Sequence, residues 1–201
     1  MSQVDYFISL NSPWTYLGSR RFADIVEDRG AQVTVKPAKF GQVFEKTGGL
    51  PLNRRSPERR AYRMMELKRW RDHLGVPLVL EPRSFPCDET EGVRHVLACG
   101  LVAGHDRALA LANAIGASLW EMDQDIADPQ VLAEAGKRAG VDIAAIRSAA
   151  PSNEALDAMW DRNTSEAVVR GVFGAPSYVL QSGEIFWGQD RLEFLDRALA
   201  T

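Results

Sequence analysis

Val4-Asp5-Tyr6-Phe7-Ile8-Ser9-Leu10-Asn11-Ser12-Pro13-Trp14-Thr15-Tyr16-Leu17-Gly18 is the stretch that decides how the chain begins to fold. Residues 4–10 are β-branched and aromatic with partial alternation, the pattern of a strand. Asn11-Ser12-Pro13 ends it abruptly and starts a helix: Ser is a favoured N-cap, and Pro fits the first helical position, where its missing N–H costs nothing. Tyr16, Leu17, Phe22, Ile25 and Val26 then recur on one helical face up to Gly30, and residues 32–36 read as a second strand closed by Pro37. The first forty residues thus predict a β-α-β unit with a sharp strand-to-helix turn at Ser12.

The far end of the chain mirrors this one. Gly171-Val172-Phe173-Gly174-Ala175-Pro176 leads into Ser177-Tyr178-Val179-Leu180, a strand. Ser182-Gly183 is a hairpin turn, Glu184-Ile185-Phe186-Trp187 pairs back, and Gly188-Gln189-Asp190-Arg191 precedes a last helix with Leu192, Phe194, Leu195 and Leu199. Between the two ends the pattern is helical. A helix is expected over Pro57–Leu74 with Tyr62, Met65, Trp70 and Leu74 as its apolar side, followed by an extended stretch over 78–85. Asp88-Glu89-Thr90-Glu91 then opens a helix holding Val93, Val96, Leu97 and Leu101, and further helices cover about 107–122, 129–139 and 153–170. The fold class is α/β: βαβ, a long helical block, then ββα. No repeat or linker splits the 201 residues, so one unit is expected, with an α/β core of about 1–39 and 165–201 and a helical insertion of about 40–164.

With 45% apolar and 25% charged residues, the composition fits a globular chain with one filled core, which excludes global disorder. The apolar runs at 96–103 and 108–119 are too short or too interrupted to span a membrane. Met1-Ser2-Gln3-Val4-Asp5 carries no signal-like features, so a cytoplasmic location is expected. Cys87 and Cys99 are too few for a disulfide framework. Paired with His95 and His105 they lack metal-motif spacing, so no metal site is assigned; Cys87, just before an acidic helix start, is a candidate reactive thiol. Net charge is −3, which offers no global case for nucleic acid. Residues 54–71, however, carry eight basic side chains against Glu58 and Glu66, a local +6. Such a patch on an acidic chain fits a small anionic ligand or a solvated helix face.

The layout and its punctuation resemble a thioredoxin-like fold with a helical insertion, the DsbA-like arrangement. Within it the chain resembles the 2-hydroxychromene-2-carboxylate isomerases and their relatives, the kappa-class glutathione transferases. The resemblance covers nearly the whole chain and rests on several motifs in order. These are Ser12-Pro13-Trp14-Thr15-Tyr16-Leu17-Gly18, Asn53-Arg54, Leu67-Lys68-Arg69-Trp70 with Gly75-Val76-Pro77, Asp125-Ile126-Ala127-Asp128-Pro129, and the two segments at 171–176 and 186–191.

The resemblance implies roles. Ser12 stands where a redox thioredoxin has the first cysteine of Cys-x-x-Cys. Ser12-Pro13-Trp14-Thr15 has no thiol, so self-contained thiol–disulfide exchange is excluded there. A hydroxyl at a helix N-terminus suits an anion instead. With glutathione as cofactor, Ser12 would be the catalytic group. Lowering a thiol pKa of ~8.5 by ~2 units takes ~2.7 kcal/mol of anion stabilisation. Ser12 as a simple N-cap is the bland alternative. Pro176 matches the family's cis-proline, with Ala175 pairing to glutathione; Trp187, Gly188, Gln189 and Asp190 match the loop at its γ-glutamyl end, and Arg59 falls where relatives hold its glycyl carboxylate. The bland alternative for Asp190 is a cap of the last helix. Asn53 and Arg54 match the substrate-binding pair, and Phe85 the ring against an aromatic substrate, unless it is a core Phe. Phe44 and Gly48-Gly49-Leu50 depart from relatives, which leaves the substrate's identity open. The implied activity is a glutathione-dependent cis–trans isomerisation of 2-hydroxychromene-2-carboxylate or a related aromatic pyruvate. The alternatives are a kappa-type transferase and a thiol-less binding module. The expected partners are glutathione and a small aromatic carboxylate, with no nucleic acid and no membrane; a homodimer is compatible with the resemblance.

Overall fold

The computed structural model describes residues 2–200. β1 (Gln3–Ile8) runs into α1 (Pro13–Arg29) and then β2 (Gln32–Pro37). β3 (Ser177–Leu180), β4 (Ile185–Trp187) and α9 (Leu192–Leu199) close the chain. The sheet order is β2-β1-β3-β4, with β1 and β2 parallel and the other neighbours antiparallel. Tyr6 is the pivot of the register, opposite Val35 on one side and Tyr178 on the other. The Tyr6 and Tyr178 rings stack at 5.0 Å, and Phe22 of α1 tilts against both at 4.4 and 4.7 Å. This aromatic trio pins α1 to the sheet and so fixes the height of its N-terminus.

The helical block lies between β2 and β3: α2 (Phe40–Thr47), α3 (Pro57–Leu74), α4 (Thr90–Ala103), α5 (His105–Trp120), α6 (Pro129–Arg138), α7 (Ile143–Ala149) and α8 (Asn153–Val169). α3 has the expected bounds, with Ser56 as its N-cap accepting from the Arg59 N–H. Its packing face differs from expectation. Leu67 is the fully buried side chain, whereas Tyr62 and Met65 are 55% and 48% exposed. α3 rests on the core along a narrow seam and leaves a groove beside it, and Tyr62 faces that groove instead of the core. Leu101 and Phe194 are also exposed, being at the outer edges of α4 and α9.

Two short helices escape the sequence pattern. α2 carries Gly41 within it and Gly48-Gly49 after it, which weakens any helical signal. α7 is two turns, held by Asp142 accepting from the Ala145 N–H. The stretch 78–85 joins no sheet and is not extended throughout: the Val79 N–H donates to the Trp120 carbonyl at 2.6 Å, the chain bends at 80–81, and the Phe85 N–H closes a turn on the Pro82 carbonyl at 3.2 Å. Among the described residues no helix is long and apolar enough to cross a membrane. His105 is occupied in the fold, its Nδ1 accepting from the Val35 N–H. No group of three or more His, Cys, Asp or Glu among the described residues is arranged to hold a metal ion.

Candidate functional site

Ser12 caps α1 as its sequence position predicts. Its Oγ accepts from the Thr15 N–H at 3.2 Å, and Pro13 takes the first helical position. The hydroxyl proton reaches only the Ala175 carbonyl, at 3.5 Å. That is the outer limit of a hydrogen bond, so the proton remains available to a better acceptor. The Ala175–Pro176 bond is cis, as the resemblance implies, and the Phe85–Pro86 bond is cis as well. No hydrogen bond among the described residues engages the Ala175 N–H.

The loop before Ser12 is anchored from the helical block, which sequence reasoning missed. The Glu89 carboxylate accepts from the Ser9 hydroxyl at 2.9 Å and the Asn11 N–H at 3.1 Å. Burial raises its pKa against those hydrogen bonds. The Asn11 amide pairs both ways with the Cys87 backbone at 2.9 Å. Cys87 is thereby a scaffold residue. Burial, with Asp125 and Glu89 nearby, pushes its thiol up to about 11, the opposite direction from an activated thiolate.

A cavity of about 570 Å³ opens between α3, the start of α1 and the turn at 187–191. That volume is in the range of small-molecule sites. Of the sequence-assigned residues, Ala175, Trp187, Gly188, Gln189, Asp190 and Arg59 line it. Ser12 stands one contact behind, against Ala175. Asn53 and Arg54 sit on a 3-10 turn (Leu52–Arg54), both exposed and outside the lining, whereas the neighbouring Arg55 is part of it. Phe85 packs on Trp120, ring centroids 5.0 Å apart, and carries the Arg63 guanidinium over its face at 5.6 Å. It reaches the cavity through Arg63, which lines it.

The turn beneath Trp187 is built for close approach. Gly188 has φ +98, a backbone conformation that favours glycine, and a Cβ there would stand 2.4 Å from Asp190 Oδ1 and displace that carboxylate. Its N–H donates to the Pro176 carbonyl at 2.9 Å, which ties the turn to the cis-proline segment. Gln189 is buried, and Arg21 of α1 donates to both its carbonyl (2.9 Å) and its side-chain oxygen. Gly18 allows this contact, since a Cβ there would lie 2.8 Å from Gln189 Cβ. Asp190 sits in the 3-10 turn and does not cap α9, whose N-cap is Arg191 with no side-chain bond. Its carboxylate is 38% exposed and meets Arg191 at 3.2 Å. Arg55 and Arg63 of the lining, and Arg21 behind it, carry no site role in the sequence reading, and Trp14, Tyr62 and Trp70 appear there only as motif or helix-face residues. The four-residue spacing of Arg55, Arg59 and Arg63 was the signal available for the arginines; a half-buried Arg21 left none.

Residues 3–200 match the model of the DSBA-like thioredoxin domain. The chain is 29% identical to a 2-hydroxychromene-2-carboxylate isomerase of Sphingobium xenophagum, over 98% of this chain and 97% of that protein. It is also 29% identical to the protein of the same name from Pseudomonas putida, over 98% and 93%. A solved 2-hydroxychromene-2-carboxylate isomerase superposes with a TM-score of 0.79 at 26% identity, covering 98% of this chain and 94% of that one. The cytosolic disulfide reductase DsbM of Pseudomonas aeruginosa superposes with a TM-score of 0.70 at 22% identity, covering 98% of each chain, a likeness of fold. Relatives named as isomerases along nearly the full length support an isomerase activity. The β2-β1-β3-β4 sheet, the helix start at Ser12, the Ala175–Pro176 segment and a match spanning residues 3–200 show that the chain belongs to the DSBA-like thioredoxin family.

Proposed function

We propose that the chain is a glutathione-dependent cis–trans isomerase acting on 2-hydroxychromene-2-carboxylate or a related aromatic pyruvate. The observation that carries this reading is the Ser12 hydroxyl. It sits at the N-terminus of a 17-residue helix, spends its oxygen on the Thr15 N–H, and keeps its proton for a ligand arriving beside Ala175. The residues present suit glutathione. The unengaged Ala175 N–H offers a strand-like bond to its cysteinyl part. The Asp190 carboxylate suits the γ-glutamyl ammonium. The space that a Cβ at Gly188 would fill is the approach to that carboxylate.

Bound there, glutathione supplies a thiolate whose reversible addition to a conjugated alkene turns the double bond into a rotatable single bond, with elimination returning both the alkene and the thiolate. Ser12 donates its hydroxyl proton as a hydrogen bond to the anionic sulfur. The N-terminal field of α1 adds to the same stabilisation, so the thiol ionises near neutral pH. Trp14, Tyr62, Trp70 and Trp187 give the organic ligand an aromatic enclosure that displaces water. Asn53 and Arg54 remain, through the resemblance, candidates for its carboxylate from outside the lining.

The test is an absorbance assay of cis–trans interconversion with and without glutathione, alongside a thiol titration. Turnover that requires glutathione and leaves its concentration unchanged is expected. Equal rates without it would overturn the cofactor assignment, and stoichiometric thiol consumption would favour the transferase reading.

A further inference from the structure

Three arginines of the cavity wall lack a counter-ion. Arg55, Arg59 and Arg63 follow one another at four-residue spacing, and none of them forms an ion pair among the described residues. The carboxylates beside them are already engaged: Glu66 by Arg69, Asp190 by Arg191, and Glu58 by the Ser56 hydroxyl and its own backbone N–H. Arg59 is exposed, whereas Arg55 and Arg63 are half-buried. Arg55 spends its Nε on the Leu50 carbonyl at 2.9 Å. Arg63 has a single hydrogen bond, to Met64 Sδ at 3.7 Å, a weak acceptor. Its guanidinium carbon stands 5.6 Å from the centroid of the Phe85 ring, within cation–π range, so the ring serves as its support. Burial, with Arg55 adding to it, pushes its pKa down to about 10, which reports an uncompensated cation. A withdrawn cation beside a second cation is unfavourable until an anion joins it. The forked guanidinium matches a carboxylate.

We propose that Arg63, supported by Phe85 and flanked by Arg55, is a carboxylate-binding subsite that selects ligands carrying a carboxylate together with an aromatic ring. The ring would lie against Tyr62 and Trp70, which share the lining. The proposal rests on the preceding reading only in giving this carboxylate to the organic ligand; the glycyl carboxylate of glutathione is the other source of the same chemistry.

The test is binding, read by tryptophan fluorescence and calorimetry, with two matched pairs of probes: 2-hydroxybenzoate against 2-hydroxybenzamide, and glutathione against its glycine ethyl ester. The wild-type protein is expected to prefer the benzoate over the benzamide at least tenfold. Arg63→Gln should bring that ratio within about twofold, and Arg60→Gln, an exposed site outside the lining, should keep it. A ratio preserved in Arg63→Gln, or absent from the wild type, overturns the proposal. A loss confined to the glutathione pair overturns the aromatic assignment and gives Arg63 to the glycyl carboxylate. Because Arg63→Gln could fail to fold, phenylglyoxal modification of the wild type, mapped by mass spectrometry, reads the same contact: 2-hydroxybenzoate should shield Arg63, and equal labelling with and without it overturns the subsite. A protein without isomerase activity that keeps the carboxylate preference would sink the proposed function and leave the subsite standing.

Discussion

One wall of the cavity comes from three chain segments tied to one another: the start of α1, the Ala175–Pro176 segment and the turn at 187–191. The other is α3, whose contribution is long side chains, chiefly Arg55, Arg59, Arg63, Tyr62 and Trp70. The first wall is cross-braced. Gly188 bonds to Pro176, Arg21 holds Gln189, Ser12 touches Ala175, and Glu89 secures the loop leading into Ser12. The second rests on Leu67 as its fully buried anchor. A braced wall presents donors at fixed positions, which suits a ligand that must be held the same way in every turnover. A wall of flexible side chains adapts in shape and selects by charge and aromatic character. The division predicts that damage to the first wall falls on glutathione and its thiol, and damage to the second on the organic substrate, Arg59 apart, which the resemblance gives to the glycyl carboxylate of glutathione.

The largest expected effect is at Ser12. Ser12→Ala should lower kcat by roughly 10²-fold, the order lost with one donor to a developing anion, while glutathione affinity changes little. Ultraviolet titration of the bound thiol checks the cause, and an unchanged thiol pKa would remove Ser12 from the mechanism. Next comes Asp190→Ala, expected to weaken glutathione by about 1.5–3 kcal/mol through loss of a charge-assisted bond to its ammonium. Calorimetry decides this; because Asp190 does not cap α9, a loss of affinity cannot be ascribed to a frayed last helix.

Arg21→Met sharpens the comparison by damaging the first wall from behind. It leaves the Gln189 carbonyl and side-chain oxygen without their donor, and the turn should loosen by about 1–2 kcal/mol. Glutathione affinity should fall by a similar amount with the thiol pKa unmoved, because α1 still begins at Ser12. A shift in the thiol pKa as large as that of Ser12→Ala would show that the two ends of this wall are not separable.

How far each wall was legible in the sequence follows from the same difference. Ser12-Pro13, Ala175-Pro176 and Gly188 carry local backbone requirements, and local requirements are written in the residues themselves. The α1 face formed by Tyr16, Leu17, Phe22 and Val26 was readable for the same reason, since periodic burial leaves a periodic trace. α3 has the right ends and half of the expected face, Trp70 and Leu74 packing on the core while Tyr62 and Met65 do not, because an Arg-rich helix with one fully buried leucine has almost no apolar stripe to orient it. On the 3-10 turn before α3 the trace is fainter still: Arg54 stands outside the lining and Arg55, one residue along, is part of it. Arg21 and Glu89 were invisible because their partners, Gln189 and the Ser9–Asn11 loop, lie 168 and 78–80 residues away.

The smallest effect is expected at Arg54, and it tests where the second wall ends. The resemblance assigns Arg54 to the substrate carboxylate, and its exposure outside the lining argues for a long-range contribution only. These readings separate by salt. An exposed charge acting at a distance loses influence once the Debye length shortens from ~10 Å at 0.1 M to ~3 Å at 1 M. A direct bidentate contact keeps most of its effect. Arg54→Ala is expected to raise KM for a carboxylate-bearing substrate no more than about threefold at low salt, and the difference should vanish at high salt. A neutral electrophile such as a chloronitrobenzene should not register the change. A loss of tenfold or more that survives high salt would mean that the 3-10 turn at 52–54 folds over the ligand, and the second wall would then extend past Arg55 to include it.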